Sequence, residues 1–331
     1  NSIITLVSLY LLYLALPASI NWLFLDATYV GETRKDCAPD GACLAFIGER
    51  FNLFVYGFYP EHLRWRVNLA TILLVIASAA VLWDSIPARK YMLRFALVYP
   101  FIGAWLLSGG FGLEHVGTHL FGGLMLTLTI GVTGIVGSLP LGILLALGRQ
   151  SNLPIIKYFC VGFIEFIRGV PLITLLFVAS TMLSYFLPPG TTFDLLMRVL
   201  IMVTLFASAY MAEVIRGGLQ ALPKGQLEAA ESLGLNYSQA MRFIILPQAL
   251  KISIPGIVNT FIGLYKDSTL VIVIGLLDPL GIGRASVADS AWLGLSTEVY
   301  LFVAIFFFIS CFAMARYSLY LENKLNTGHK R

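Results

Sequence analysis

The chain has 331 residues, of which 58% are hydrophobic and 12% charged, with a formal net charge of +4. Soluble domains carry about 25% charged residues, so much of this surface faces something other than water, and a freely soluble domain is excluded. The mild positive charge gives no argument for nucleic-acid binding.

Runs free of Asp, Glu, Lys and Arg cover 3–25, 67–83, 95–113, 116–148, 169–193, 199–212, 252–265 and 299–315. A helix needs roughly 20 apolar residues to cross a bilayer, and the shorter runs extend across a flanking polar residue. The expectation is an all-α polytopic membrane helix bundle with about eight transmembrane helices. The runs are continuous, without dyad alternation, which disfavours a barrel. Residues 3–25 lack a basic leader and a small-residue cleavage site, so they read as a retained helix. Lys and Arg gather in 84–94, 149–157, 216–251 and 316–331, which places these segments inside, with both termini inside. Arg64 and Arg66 fall on the outer side, against that rule.

The chain divides near residue 115. Residues 1–114 form an N-terminal extension with three membrane helices and a polar external loop, 26–66, rich in turn formers such as Asp36, Pro39 and Gly41. Cys37 and Cys43 lie in this loop, and an oxidising exterior favours a disulfide between them. Cys160 and Cys311 lie in apolar helices, where a thiol is usually packing. Residues 115–331 hold five helices and most of the intramembrane polar groups. The first of these, 116–148, carries Gly122, Gly123, Gly131, Gly134, Gly137 and Gly142. This is either a close helix contact or ordinary membrane-helix composition.

Glu165, Arg168, Glu213 and Arg216 make two Glu-x-x-Arg pairs, each at a spacing that permits an ion pair within its helix. They read as structural cross-bracing near an inner gate, since charges in a membrane interior usually pair with one another. Arg168-Gly169-x-Pro171 breaks its helix.

Residues 220–247 read QALPKGQLEAAESLGLNYSQAMRFIILP, the longest polar interruption of the C-terminal half. Pro223 suits a helix start, and Gly234 a helix end followed by a second short helix. Leu227, Ala230, Leu233 and Tyr237 recur at helical spacing as one apolar stripe. The segment lies on headgroups, packs on its own bundle, links two helices, or docks into a protein groove. Glu228 and Glu231 argue against anionic headgroups.

Glu228-Ala229-Ala230, Gly234, Ile244 and Leu246-Pro247 resemble, in residue and in spacing, the EAA loop of binding-protein-dependent importer permeases. EFIRGVPLI at 165–173, AEVIRGGL at 212–219, YKDSTL at 265–270 and YLENKL at 320–325 resemble motifs of the polar amino-acid branch. The resemblance spans about 115–325. It implies a type I ABC importer-like core in a bacterial inner membrane, with Glu228, Ala229, Ala230, Gly234, Leu246 and Pro247 coupling to an ATPase. It also implies two ATP-binding subunits, a second and non-identical permease subunit, a periplasmic solute-binding protein and an amino-acid substrate. The extra helices at 1–110 resemble the longer permeases of general or acidic amino-acid systems. Loops 187–198 and 278–297 become the external docking surface.

Within the membrane, Lys266 and Asp267 interrupt apolar sequence at a cost of roughly 3 kcal/mol or more for each charge. They form either a structural ion pair or a polar wall of the transport path, on which Asp267 meets an ammonium and Lys266 or Ser268 a carboxylate. Asn259, Thr260 and Thr269 are the weaker path residues. His62, His115, His119 and His329 are scattered, and no metal site is expected. No G-x-x-x-x-G-K-[ST] occurs, so no cofactor is expected on this chain; the resemblance assigns ATP and Mg to the partner ATPase. The rival reading is a secondary amino-acid transporter driven by an ion gradient.

Overall fold

The computed structural model describes residues 2–83, 85–86, 88–182, 185, 193–223 and 225–325. Lys224 and residues 187–192 of the expected docking loop 187–198 lie outside the described residues, as does His329.

Seven helical stretches are long and apolar enough to cross a membrane: Ser2–Leu25, Glu61–Leu82, Arg89–Ser108, Gly123–Arg149, Leu195–Gln220, Tyr237–Ile274 and Ser296–Leu325. One bent helix pair makes an eighth crossing when it is counted as a single span. Helix α7 (Pro154–Gly169) and α8 (Leu172–Phe177, continued by a π-helical turn to Met182) meet at 103°. The cause is local. Proline has no N–H and disfavours a helical residue before it; Val170 and Pro171 are extended, at ψ 131° and 140°. Ile164 packs with Ala146, Ala212 and Ile215 at one end of the bundle. At the other end Arg198 donates to the carbonyls of Ala179 and Ser180, at 3.3 and 2.5 Å. The broken pair therefore runs the depth of the bundle.

The centre is the contact of α6 (Gly123–Arg149) with α9 (Leu195–Gln220) and α12 (Leu246–Asp267). Here the glycines of α6 are required by space. A β-carbon on Gly142 would lie 2.6 Å from Met211, one on Gly137 2.6 Å from Thr204, and one on Gly134 2.7 Å from Leu264. Close helix approach, rather than composition alone, accounts for them.

The extension contributes α1 (Ser2–Ile20), whose side chains are all exposed, and the hairpin of α4 (Arg64–Leu82) with α5 (Arg89–Ser108). Arg66 is fully buried. Its Nε donates to Leu106 O at 2.7 Å and its Nη1 to Glu114 O at 2.9 Å. A cation bonded to the last carbonyls of a helix is held by local partners, which accounts for a basic residue on the side the charge rule disfavours.

The loop after α1 is more than a polar spacer. It carries α2 (Ala45–Glu49) and α3 (Phe51–Tyr56), and its Phe46 and Phe54 share a core with Ile282, Trp292, Leu295 and Val299. Those partners come from α13 (Pro279–Ser286), α14 (Ser296–Leu325) and the turn between them. The polar composition of the loop hid this lobe, because half of its core lies at the other end of the chain.

Candidate functional site: an exposed elbow, a charge hub and a polar helix face

After Pro223 the chain forms α10 (Gly225–Ser232) and then reverses at Gly234. Gly234 has φ +80°, a conformation that costs an L side chain about 1–2 kcal/mol. Its N–H reaches Glu231 O at 2.9 Å, and the Leu235 N–H reaches Ala230 O at 3.2 Å. These bonds satisfy carbonyls that the helix end leaves free. Asn236 and Gln239 then exchange side-chain-to-backbone bonds of 2.9 and 3.0 Å, a capping box that starts α11 (Tyr237–Ala240). A π-helical turn, Met241–Ile245, joins α11 to α12 without a break. The second arm of the elbow is thus the end of a membrane helix, with Leu246 and Pro247 in its first turn. The first arm is tied to it by a reciprocal amide pair, Gln226 with Gln248, at 2.9 and 3.3 Å.

The expected single apolar stripe is divided. Ala230 is 1% exposed, and Leu227 packs in the cluster of Leu219 and Ile245. Leu233 is 80% exposed and Tyr237 52%. Leu227 and Ala230 face the bundle, while Leu233, just before the turn at Gly234, and Tyr237, just after it, face away. Glu228, Ala229, Glu231 and Gly234 are exposed beside them. A depression lined by Gln220, Leu222, Leu227, Glu228, Glu231 and Met241 lies between the elbow and α9.

Directly above the elbow is a hub of charge. Arg149, in the last turn of α6, lies 2.8 Å from Glu165 and 2.9 Å from Glu213. Glu213 also meets Arg216 at 2.9 Å and Arg168 at 3.6 Å. The pair expected within α9 is present. Glu165 and Arg168 do not pair with each other: Arg149 takes the carboxylate, and the Arg168 guanidinium lies over the Tyr210 ring, 5.6 Å from its centroid. Arg216 continues the chain to Gln220 at 2.7 Å, a residue that also lines the depression beside α10. The hub thus joins three helix ends to the elbow.

The path candidates on α12 separate into two sets. Ser268 is buried and donates to Tyr265 O at 2.7 Å; Thr260 and Thr269 donate to Gly256 O and Lys266 O at 2.9 and 3.0 Å. Those hydroxyls are engaged by the backbone. Asn259 and Lys266 are exposed, and Asp267 is partly so. Seven residues make nearly two helical turns, so Asn259 and Lys266 share a face about 10 Å apart. Neither Lys266 nor Asp267 has an ion pair among the described residues, which leaves a polar wall on one face of a membrane helix.

Cys37 and Cys43 are bonded, with their Cα atoms 5.5 Å apart. Arg149, Gln226 and Gln248 were not singled out by sequence. Arg149 stood at the end of an apolar run, but its partners lie on other helices, beyond any i,i+3 or i,i+4 pattern.

Comparison with known proteins identifies the surroundings. The profile of the family described as "Binding-protein-dependent transport system inner membrane component" matches residues 138–327. The Escherichia coli (strain K12) inner membrane amino-acid ABC transporter permease protein YhdY is 53% identical over 330 residues, 99% of this chain and 90% of that one. The Rhodobacter capsulatus glutamate/glutamine/aspartate/asparagine transport system permease protein BztC is 49% identical, covering 88% of this chain and 80% of its own length. A crystal structure of an amino acid ABC transporter with histidines superposes with a TM-score of 0.54 at 32% identity. It covers 61% of this chain and 91% of that one.

Proposed function

Since the chain belongs to the family of binding-protein-dependent transport system inner membrane components, we propose that it is the membrane-spanning permease subunit of an ATP-driven importer of polar L-amino acids, and that its Gly234 elbow is where the power stroke enters. The observation that supports this most directly is the elbow itself. It is an exposed turn with Leu233 and Tyr237 projecting from it, continuous with α12 and linked through Gln220 to the charge hub. A displacement of α10 by a docked ATPase would be transmitted to α12 by the Gln226–Gln248 pair and to α6, α7 and α9 by Glu213. Structural elements this tightly joined move as units. The name of the Rhodobacter relative supports acidic and amide amino acids as the substrates.

In this reading both termini and the elbow lie on the cytoplasmic side of a bacterial inner membrane. Nucleotide and Mg would be held by two partner ATPases, and a non-identical permease would complete the path. The exposed Asn259–Lys266 face of α12, with Asp267, would then line that path, where carboxylate and ammonium groups of the substrate find opposite charges. An ion-gradient transporter has no use for a docking elbow, and the family assignment favours the ATP-driven reading.

The test is purification of the tagged chain from its native membrane, followed by uptake into vesicles. An ATP-hydrolysing subunit should co-purify, and glutamate or glutamine uptake should require internal ATP together with the solute-binding protein. Uptake that persists without ATP and collapses with the ion gradient would refute the proposal.

A further inference from the structure

The hairpin of α4 and α5 carries a face that the transport path does not explain. Lys90, Arg94, Leu97, Val98, Phe101 and Trp105 recur at spacings of three and four, so they share one side of α5. All six are exposed. From Arg94 to Trp105 the stripe runs about 16 Å at 1.5 Å per residue, roughly half of a hydrocarbon core about 30 Å thick. Two cations thus lead into one leaflet's depth of apolar side chains. Membrane helices that pack on one another present small residues, whereas Leu97 and Phe101 are 75% and 76% exposed. Side chains of this size suit fluid acyl chains rather than a partner helix.

The surroundings of the two cations are set by the fold. Tyr317, toward the end of α14, donates to Leu82 O at 2.6 Å, which puts the α4–α5 turn beside that end of α14. Trp83, next to Leu82, is exposed, an amphipathic ring of the kind that gathers at headgroup level. The Arg94 guanidinium lies over the Tyr91 ring, 5.7 Å from its centroid, a contact that favours the cation. Arg89 turns back instead, its Nε donating to Ala80 O at 3.2 Å. No acid occurs between Asp84 and Glu114. With Asp84 counted against Arg89, and Glu322 against Arg316, Lys90 and Arg94 still keep two positive charges. Neither has an ion pair among the described residues.

We propose that Lys90 and Arg94 bind the phosphate of one anionic phospholipid, whose acyl chain lies along Leu97, Val98 and Phe101. The inference needs only that the chain spans a bilayer and is independent of what the chain carries. Basic side chains at the membrane surface attract anionic headgroups, and their aliphatic stems reach up from an apolar face to do so. The site gives the extension a task of its own. Helix α5 packs chiefly on α4, and a lipid held at its first turns fixes the depth of a hairpin that the core grips only lightly.

The experiment titrates the purified complex, in mild detergent, with phosphatidylglycerol or with phosphatidylethanolamine of the same chains, and counts bound lipid by native mass spectrometry. The wild type should hold one phosphatidylglycerol per copy of this chain more tightly than phosphatidylethanolamine. The double variant K90Q/R94Q, exposed at both positions and expected to melt as the wild type does, should weaken that lipid about tenfold, in line with two cations near one headgroup. Arg94→Gln alone should weaken it about threefold. Arg316→Gln removes one exposed cation beside Tyr317 and should leave it unchanged. Phosphatidylglycerol retained equally by the wild type and K90Q/R94Q overturns the site. Equal losses in Arg94→Gln and Arg316→Gln overturn it too, since the attraction is then that of general charge. Displacement of the lipid by millimolar inorganic phosphate would show a plain anion site and overturn the role of the apolar stripe.

Discussion

Arg149 and Glu213 meet at 2.9 Å across the ends of two helices that are far apart in the chain. Glu213 is 14% exposed and faces three guanidinium groups, while Arg149 also holds Glu165. Removing Arg149 leaves Glu165 without its cation and weakens the tie of α6 to α9. Arg149→Gln should lower stability by about 1–3 kcal/mol, the cost of leaving a partly buried charge short of a partner. Arg149→Lys should recover much of this, because both carboxylates meet the single nitrogen Nη1 and an ammonium also carries donors enough for two. Melting of the detergent-solubilised complex measures the first effect. ATP consumed per substrate carried measures the second, and should rise in Arg149→Gln if the hub transmits motion. A purely structural brace would leave that ratio unchanged.

Asp278 gives a pH dependence of known sign. It caps α13, with Oδ1 accepting the Gly281 N–H at 2.9 Å, while Oδ2 is buried without a partner. Burial pushes its carboxyl from the ordinary 3.8 up to about 6. Below about pH 4 the folded and unfolded chains are both protonated, and this residue imposes no penalty. Between pH 4 and 6 the unfolded chain ionises first, so stability falls as pH rises, by a few kcal/mol at about 1.4 kcal/mol per pH unit. Asp278→Asn keeps the cap and removes the proton. Its melting temperature relative to wild type should therefore be higher at pH 7.5 than at pH 4.5. A difference independent of pH would show that the carboxylate is solvated.

Lys266 and Asp267 are charges on a membrane helix without an ion pair among the described residues, and such groups are seldom idle. Asp267→Asn and Lys266→Gln should each reduce uptake at least about tenfold, the equivalent of one lost charge-assisted contact of roughly 1.4 kcal/mol. The complex should still assemble, because neither residue holds a neighbour in the bundle. Ser268→Ala should leave the substrate KM unchanged, since that hydroxyl is occupied by Tyr265 O. The reverse pattern, with Ser268 sensitive and Asp267 silent, would move the path off this face.

The bond between Cys37 and Cys43 has a direct check. Without reductant, maleimide applied from outside should label neither residue; after mild reduction it should label Cys37, while Cys43, 1% exposed, stays protected. Rapid labelling of Cys37 before reduction would contradict the bridge.

What was legible in the sequence was what depends on neighbours in the sequence. Long charge-free runs announce the spans, and Pro171 announces the break between α7 and α8, because both effects act within one stretch of chain. The i,i+3 pair of Glu213 with Arg216 was readable for the same reason. The Glu165–Arg149 bond was not, since it joins two helices and displaces the local pairing with Arg168. The outer lobe escaped notice because Phe46 finds Trp292 only after the bundle has formed. The apolar stripe of the elbow was visible as a pattern, but a helical wheel assumes a straight helix. Leu233 lies past the end of α10, beside the turn at Gly234, and so leaves the face that carries Leu227.

Gly234 allows conformation and contact to be separated. A β-carbon there meets nothing within 4 Å in this chain, so the only intramolecular objection to a side chain is φ +80°. Asparagine tolerates that region better than other residues with a β-carbon, and valine does not. If the elbow needs only its turn, Gly234→Asn should keep most ATP-coupled uptake, while Gly234→Val should lose roughly tenfold, matching 1–2 kcal/mol of strain. If the elbow seats in a close-fitting groove of the ATPase, Gly234→Asn should fail as well, with ATP hydrolysis no longer stimulated by substrate although the chain inserts and assembles. Parallel assays of uptake and stimulated hydrolysis distinguish the two. Normal coupling in both variants would mean that the turn carries no stroke at all.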